Sequence, residues 1–154
     1  MSTIEPSHFV CVVIYRTNPS DGQIEFLVID YRSTNPKTGK VSELQTKFCG
    51  GMNRYADEPV IMTGRREILE ELSLATLPVD FKEIWRLEIR EHTKYGFLLS
   101  FEKCRGELRT EVLKDNNDTL GVPYWWPAVT LGRGLFHCHQ APYLAACREL
   151  GIEF

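Results

Sequence analysis

A short run of charged residues, Arg66-Glu67-Ile68-Leu69-Glu70-Glu71, constrains this chain more than any other feature of its sequence. At roughly 100° per residue, the three glutamates of a helix with this sequence share one face. Like charges three and four residues apart destabilise a helix, so the face requires water, a cation or another function. Mg²⁺ and Mn²⁺ prefer oxygen ligands, which makes a divalent metal the leading interpretation. The alternative is a solvated acidic helix face.

The residues before this run favour the metal interpretation. A glycine pair, Gly50-Gly51, follows a strand-like segment at 45–49, and a short polar loop then leads to Glu58-Pro59. Glycine lets the backbone approach a ligand closely, and proline suits the first position of a helix. Seven residues separate Glu58 from Arg66. The segment therefore predicts a glycine-rich strand end, a loop and an acidic helix in succession.

Together these residues resemble the Nudix box, the signature of the Nudix hydrolase superfamily. Its pattern is Gly, five residues, Glu, seven residues, Arg-Glu, apolar, any, Glu-Glu, any, Gly, apolar. The chain matches fully from Glu58 to Glu71, and Leu74 matches the last apolar position. Six residues separate Gly51 from Glu58, so either the loop carries one insertion or Asp57 replaces the first acidic residue. The insertion is favoured because Glu58 keeps its register with the helix.

The second departure from the box is Ser73, which stands where the family has a glycine. That glycine usually supplies a left-handed cap at the end of the helix. Serine can adopt the same conformation at a cost of about 1 kcal/mol, or the helix can continue slightly further. Neither outcome moves the carboxylates.

The resemblance implies an α+β fold, a Nudix-like α/β/α sandwich with a mixed central β-sheet. It also implies a metal-dependent pyrophosphohydrolase that uses Mg²⁺ or Mn²⁺ to cleave a nucleoside diphosphate linked to another moiety. The implied site consists of Glu67, Glu70 and Glu71 as metal ligands, the Gly50 carbonyl as a further ligand, Gly51 beside it, Arg66 as an orienting residue, and Glu58 as a helix cap that supports the network. Asp118 is the first candidate for an additional metal-binding carboxylate, while Asp115, Glu111 and Glu91 remain open.

Two other functions fit the same fold. The altered glycine spacing and Ser73 are compatible with a catalytically inactive nucleotide-binding or regulatory module. A diphosphate isomerase would need further acid and base residues that the sequence does not identify. In each case the expected partner is a small-molecule nucleotide or dinucleotide.

The composition limits the class of protein. With 154 residues, 43% hydrophobic and 25% charged, the chain is predicted to form a single domain over residues 1–154. Its net charge of −3 disfavours a stable nucleic-acid partner, and no apolar run is long enough for a membrane span. The N-terminus does not resemble a secretory signal, so the expected location is the cytoplasm. The five cysteines form no zinc motif and are expected to be reduced, and a homodimer remains open.

Hydrophobic patterns around the box predict the element order β-β-β-α-β-β-β-α. Strands are expected at 9–15, 24–29, 45–49, 81–91, 93–101 and from 124, the first two as a hairpin, and a terminal helix at 139–150. In the box helix, Ile61, Ile68 and Leu72 form the predicted core stripe, widened by Met62 and Leu69. Gly64 is expected to pack against a strand. Residues 114–118 are predicted to be a polar loop, and Tyr95 is either a core aromatic or a base-stacking residue.

Overall fold

The computed structural model describes residues 6–153, and one mixed β-sheet forms its centre. The strands are β1 (Ser7–Thr17), β2 (Ile24–Ser33), β3 (Gln45–Lys47), β4 (Cys49–Met52), β5 (Lys82–Ile89), β6 (His92–Ser100), β7 (Leu113–Asp115), β8 (Asp118–Leu120) and β9 (Tyr124–Pro127). The helices are α1 (Val60–Leu72), α2 (Ala128–Leu131) and α3 (Gln140–Glu149). Short 3₁₀ turns lie at Pro78–Asp80, Phe101–Lys103 and His137–His139.

Strand β1 is the organising strand of the sheet. It pairs antiparallel with β2 and β4 and parallel with β6, which makes the sheet mixed. The β1–β2 hairpin and the antiparallel β5–β6 pair confirm the predicted pairings. Because β4 carries Cys49 to Met52 along β1, the glycine pair lies inside the sheet, with Gly50 opposite Cys11 and Gly51 opposite Val10.

The alternation of side chains along β1 separates two hydrophobic cores. Val10, Val12 and Ile14 pack into a cluster that contains Ile68 and Leu72 of α1. Cys11 and Val13 point the other way, into a cluster with residues of α2 and α3. Since successive strand residues face opposite sides of a sheet, one buried strand serves both layers. The predicted α/β/α sandwich with a mixed central sheet is therefore confirmed.

Helix α1 is rotated relative to the predicted core stripe. Ile68 and Leu72 are fully buried as expected, but Met62 and Leu69 are exposed by 43% and 59%. The buried face instead includes Thr63, Gly64 and Glu71. The prediction that Met62 and Leu69 widen the core was wrong because close packing at Gly64 draws the other side of the helix onto the sheet. A Cβ at Gly64 would lie 3.3 Å from Val10 and 3.2 Å from Phe81.

The end of α1 resolves the alternatives left open for Ser73. Ser73 adopts the left-handed conformation, with φ 64° and ψ 27°, and its backbone N–H donates to the Leu69 carbonyl. The helix therefore ends where the box glycine would end it. The other end differs from prediction, because Pro59 precedes the helix as its N-cap and Val60 is the first helical residue.

Other differences concern small elements. Residues 113–120, predicted as a polar loop around Lys114 to Asp118, form the β7–β8 hairpin, whose turn residue Asn116 has φ 53°. The glycine pair forms a strand of its own, and the four-residue helix α2 was not predicted. Leu144 on α3 is half exposed rather than buried. Among residues 6–153, no helix combines the length and apolar character needed to cross a bilayer.

Candidate active site

The box carboxylates line a cavity of about 520 Å³ between α1, β4 and the β7–β8 hairpin. Helix α1 contributes Glu67, Glu70 and Glu71, and the hairpin contributes Asp115 and Asp118. The other lining residues are Phe9, Tyr31, Lys47, Gly50, Gly51, Met52, Leu113 and Leu120. Every predicted metal-binding residue thus lies at one cavity, which we call the acidic pocket.

Glu71 is the most buried of the three helix carboxylates, with 7% of its side chain exposed. Its Oε1 accepts hydrogen bonds from the Gly50 N–H at 3.0 Å and the Cys49 thiol at 3.3 Å. Its Oε2 lies 3.5 Å from the ammonium of Lys47. These contacts fix the carboxylate against the glycine strand. They also join strand β4, through Gly50, to the last box glutamate on α1.

Glu67 carries charge that its surroundings only partly neutralise. Its Oε1 accepts a hydrogen bond from Arg66 at 2.9 Å, whereas no donor among residues 6–153 contacts its Oε2. Burial, together with the negative charge of Glu71, raises the pKa of Glu67 to about 7. The close approach of Gly51 contributes to this burial, because a Cβ there would lie 2.5 Å from Glu67 Oε1. A cation in the pocket would stabilise the ionised form of this carboxylate.

Arg66 joins the acidic residues to the preceding loop. Its guanidinium forms a bidentate pair with Glu58, with both N–O distances 3.0 Å. The same group contacts Glu67, donates to the Met52 carbonyl at 3.0 Å and lies 3.4 Å from Glu70. Its pairing with Glu58 is the largest of the effects that lower the pKa of this carboxyl to about 2. The structure therefore brings Arg66 into contact with the acidic residues of the box, and its orienting role stays a prediction.

Glu58, rather than Asp57, occupies the buried position beside Arg66. Glu58 is 6% exposed, whereas Asp57 is exposed to solvent. The longer loop closes onto Glu58, since the Arg54 N–H donates to Glu58 Oε1 at 3.1 Å. This geometry agrees with a one-residue insertion that leaves Glu58 in register. The expected capping role was wrong, because no side chain caps the start of α1 and Glu58 instead bonds the loop, Thr63 and Arg66.

Asp118 faces the helix glutamates across the acidic pocket. Its carboxylate accepts a hydrogen bond from the Tyr31 hydroxyl at 3.0 Å. Asp115 also lines the pocket, whereas Glu111 and Glu91 do not. The hairpin therefore supplies two candidate carboxylates. The turn-forming sequence around Asn116 was the signal that could have identified the hairpin in advance.

The donor set suits a divalent cation, although basic side chains now contact part of it. Among residues 6–153, no three acidic, histidine or cysteine side chains already have metal-binding geometry. Arg54 contacts Glu70 at 2.6 Å, and Arg66 and Lys47 contact the other two glutamates. Carboxylate oxygens on both walls are nevertheless the ligands that Mg²⁺ and Mn²⁺ prefer. The residues present therefore fit such an ion. The sequence pattern did not identify Lys47 or Arg54 as residues that contact the box glutamates.

A second, largely apolar cavity adjoins the acidic pocket. Its volume is about 170 Å³, and it shares Phe9 and Met52 with the acidic pocket. Trp85, Phe136 and His139 line its remaining aromatic wall. His139 Nδ1 accepts the Phe48 N–H at 3.0 Å, so the neutral ring carries its proton on Nε2. Tyr95 lines neither cavity and instead stacks against Phe97, as expected for a core aromatic.

Solved structures with the same arrangement of strands and helices support the fold assignment. The MutT NUDIX hydrolase from Burkholderia pseudomallei is 21% identical, covers 92% of this chain and 98% of its own, and gives a TM-score of 0.64. The NUDIX domain of Shewanella oneidensis NrtR, solved with ADP ribose, is 18% identical over 93% of this chain and 87% of its own, with a TM-score of 0.55. T. brucei MERS1, solved with GDP, is 13% identical over 83% of this chain and 51% of its own, with a TM-score of 0.59.

The likeness is one of structure. No protein-family model matches the sequence, and no curated protein matches it. The three solved structures nevertheless cover 92%, 93% and 83% of this chain, with TM-scores above 0.5. The chain therefore has the fold of the MutT/Nudix hydrolases.

Proposed function

We propose that this protein is a pyrophosphohydrolase that depends on Mg²⁺ or Mn²⁺ and cleaves a nucleoside diphosphate linked to another moiety. The observation that carries the proposal is the acidic pocket, where Glu67, Glu70 and Glu71 face Asp115 and Asp118. A bare diphosphate and this carboxylate cluster would repel each other, and a bound divalent cation would offset that repulsion. The solved complexes of similar fold with ADP ribose and GDP support a nucleotide as the partner.

The proposed metal site consists of Glu67, Glu70 and Glu71, with Asp118 and the Gly50 carbonyl as candidate additional ligands. A bound Mg²⁺ or Mn²⁺ would offset the charge of the diphosphate and favour attack by water. Hydrolysis breaks one bridging P–O bond, forms one new P–O bond to the water oxygen and releases a proton. The reaction needs no reductant or oxidant.

The protein's own residues would position the reactants. Arg66 holds Glu67 through its fixed pair with Glu58, and the Gly50 N–H holds Glu71. The largely apolar cavity shares Phe9 and Met52 with the acidic pocket. A planar aromatic group bound in this cavity would therefore lie next to the carboxylates proposed to bind the metal. A nucleotide is a ligand of this kind, since its base is flat and its phosphates follow within a few bonds. The two pockets together therefore match a nucleotide better than an inorganic diphosphate.

A panel of nucleoside triphosphates, nucleoside diphosphate sugars and dinucleoside polyphosphates tests the proposal. Each compound is incubated with the protein and either Mg²⁺ or Mn²⁺, and the products are identified by chromatography. We expect at least one compound to yield a nucleoside monophosphate only when metal is present. Glu107 is exposed and outside both pockets, so Glu107→Gln serves as the control that should retain full turnover.

Thermal unfolding of the same samples separates an enzyme from a binding module. Ligands that bind the folded state raise Tm by mass action in both cases. An enzyme consumes the compound, whereas a binding module leaves it intact over hours. Stabilisation across the panel without any cleavage would contradict the hydrolase and support nucleotide binding as the function.

A further inference from the structure

A buried chain of hydrogen bonds connects strand β1 to the box glutamates through two residues, His8 and Thr63, that the box pattern does not name. It begins at His8, which is 8% exposed, and passes through Thr63, which is fully buried on α1. His8 Nε2 lies 2.7 Å from Thr63 Oγ1, and Thr63 Oγ1 lies 2.5 Å from Glu58 Oε1. Glu58 then holds Arg66, which holds Glu67. The chain therefore ends at a proposed metal ligand.

The direction of each hydrogen bond follows from the donors and acceptors available. Glu58 is paired with Arg66 and accepts hydrogen bonds only, so the Thr63 hydroxyl donates its single proton to Glu58 Oε1. The Thr63 oxygen must then accept from His8, which places a proton on His8 Nε2. His8 acts as a donor to Thr63 in this arrangement.

The donor on His8 is consistent with Glu58 as the acceptor of the Thr63 proton. A threonine inside a helix can donate to the carbonyl four residues earlier, and here the Pro59 carbonyl lies 3.5 Å from Thr63 Oγ1. The contact to Glu58 is a full ångström shorter. With its lone pair facing the donor on His8, the hydroxyl points its proton at Glu58 rather than along the helix. The ring of His8 is itself held by an edge contact with Tyr95.

We propose that Thr63 and His8 are positioning residues that set the orientation of Glu58, and through Arg66 that of Glu67, for metal binding. The role rests on the proposed function, because it presumes a cation at Glu67. Glu58 Oε1 accepts three hydrogen bonds, from Thr63, Arg66 and the Arg54 N–H. Loss of the Thr63 bond leaves the carboxylate with its bonds to Arg54 and Arg66 only, so its last torsion is held less firmly. The bidentate pair of Arg66 with Glu58, and through it the contact of Arg66 with Glu67, is then less firmly oriented.

The isosteric variant Thr63→Val tests this role through Mn²⁺ binding, measured by electron paramagnetic resonance without substrate. We expect Mn²⁺ affinity to fall about 3- to 10-fold, the effect of one hydrogen bond on an equilibrium. Thr63→Ser keeps the hydroxyl and should restore wild-type affinity. Thr76→Val is the matched control, because Thr76 is also buried and its hydroxyl has no partner within residues 6–153.

Substitutions at His8 provide a second test that does not depend on the folding of Thr63→Val. His8→Phe removes the donor and should weaken Mn²⁺ binding, whereas His8→Gln can still donate and should not. If the residues act in series, His8→Phe should have no further effect on Mn²⁺ affinity in the Thr63→Val background.

The outcomes separate this inference from the proposed function. Wild-type Mn²⁺ affinity in both Thr63→Val and His8→Phe, with stability alone reduced, overturns the positioning role while leaving the metal site intact. Absence of Mn²⁺ binding by the wild-type protein overturns the proposed function and the positioning role with it. Weaker binding in both variants, restored by Thr63→Ser, supports the inference.

Discussion

The three box glutamates differ in their surroundings although they lie within one turn of helix. Glu71 is held by Gly50, Cys49 and Lys47, whereas Glu67 is paired with Arg66. Glu70 is 44% exposed, and its ion pairs within the described part of the chain are with Arg54 and Arg66. A cation that reaches all three must therefore replace some basic side chains more readily than others. The exposed contact between Arg54 and Glu70 should be the weakest.

Replacement of Arg54 by alanine should tighten Mn²⁺ binding. Arg54 comes from the longer loop and competes with a cation for Glu70. Exposed ion pairs contribute about 0.2–1 kcal/mol, so the gain should not exceed about 5-fold. Titration with Mn²⁺ measures it, with the exposed Arg133→Ala as the control for loss of a positive charge elsewhere. Unchanged or weaker binding in Arg54→Ala would show that Arg54 does not compete for the metal site.

The box helix shows which features sequence patterns can predict and which they cannot. The spacing from Glu58 to Glu71 correctly indicated a helix that carries its acidic residues toward one pocket. The rotation of that helix was not predictable, because Met62 and Leu69 are apolar and yet exposed. Tight packing at Gly64 determines the rotation, and packing of this kind depends on strand residues that are distant in sequence.

Strand pairing also limited what the sequence could predict about the site. Lys47 and Thr63 gain their roles only when β3 and β1 are placed beside α1, and neither belongs to a recognisable motif. The hairpin at 113–120 has strands of three residues each, too short for a periodic pattern to stand out. Its turn residues were visible in the sequence, but the pairing of β8 with β2 was not.

The left-handed end of α1 predicts a stabilising substitution. Ser73 has φ 64° and is exposed, so Ser73→Gly should increase the free energy of unfolding by about 0.5–1 kcal/mol. Urea unfolding measures the change, and Ser73→Ala should show no such gain because alanine keeps the Cβ. Turnover should be unaffected, since Ser73 lines neither pocket. Equal stability of the glycine and alanine variants would argue against strain at this position.

His139 links the terminal helix to the sheet and makes the stability of the whole molecule depend on pH. The ring is 2% exposed, stacks on Phe48 and accepts the Phe48 N–H. Burial lowers the pKa of His139 to about 3, well below the value of about 6.5 in an unfolded chain. Between these values the unfolded chain binds a proton that the folded protein does not. Stability from this group is therefore complete above about pH 6.5 and is lost as the pH falls toward 3.

Substitution of His139 isolates this contribution from that of the carboxylates. Asparagine can accept the Phe48 N–H but does not titrate, so His139→Asn should show a shallower loss of unfolding free energy below pH 6.5. The difference in slope should approach about 1.4 kcal/mol per pH unit. Denaturant unfolding from pH 4 to pH 7 provides the curves, with exposed His137→Asn as the control that should follow the wild type. Parallel curves for wild type and His139→Asn would contradict a buried neutral His139.

The fold as a whole holds an acidic cluster in a partly buried pocket, which is unfavourable for stability unless a cation binds there. Glu67 is the clearest example, because its pKa is raised by burial and by Glu71. Replacing the Glu67 carboxylate by an amide should relieve its repulsion from Glu71. The amide oxygen can still accept the hydrogen bond from Arg66. The Glu67→Gln protein should therefore be at least as stable as the wild type at neutral pH. The same variant should also lose metal-dependent turnover.

Mn²⁺-dependent turnover of Glu67→Gln, measured beside its unfolding free energy, tests this relation between charge and function most directly. Loss of outer hydrogen-bonding partners of metal ligands costs about 10- to 100-fold in affinity or activity, so loss of a ligand should cost at least as much. We expect turnover to fall by about 100-fold or more, with stability unchanged or increased. Turnover within a few-fold of the wild type in a folded Glu67→Gln protein would contradict a metal-dependent hydrolase at the acidic pocket.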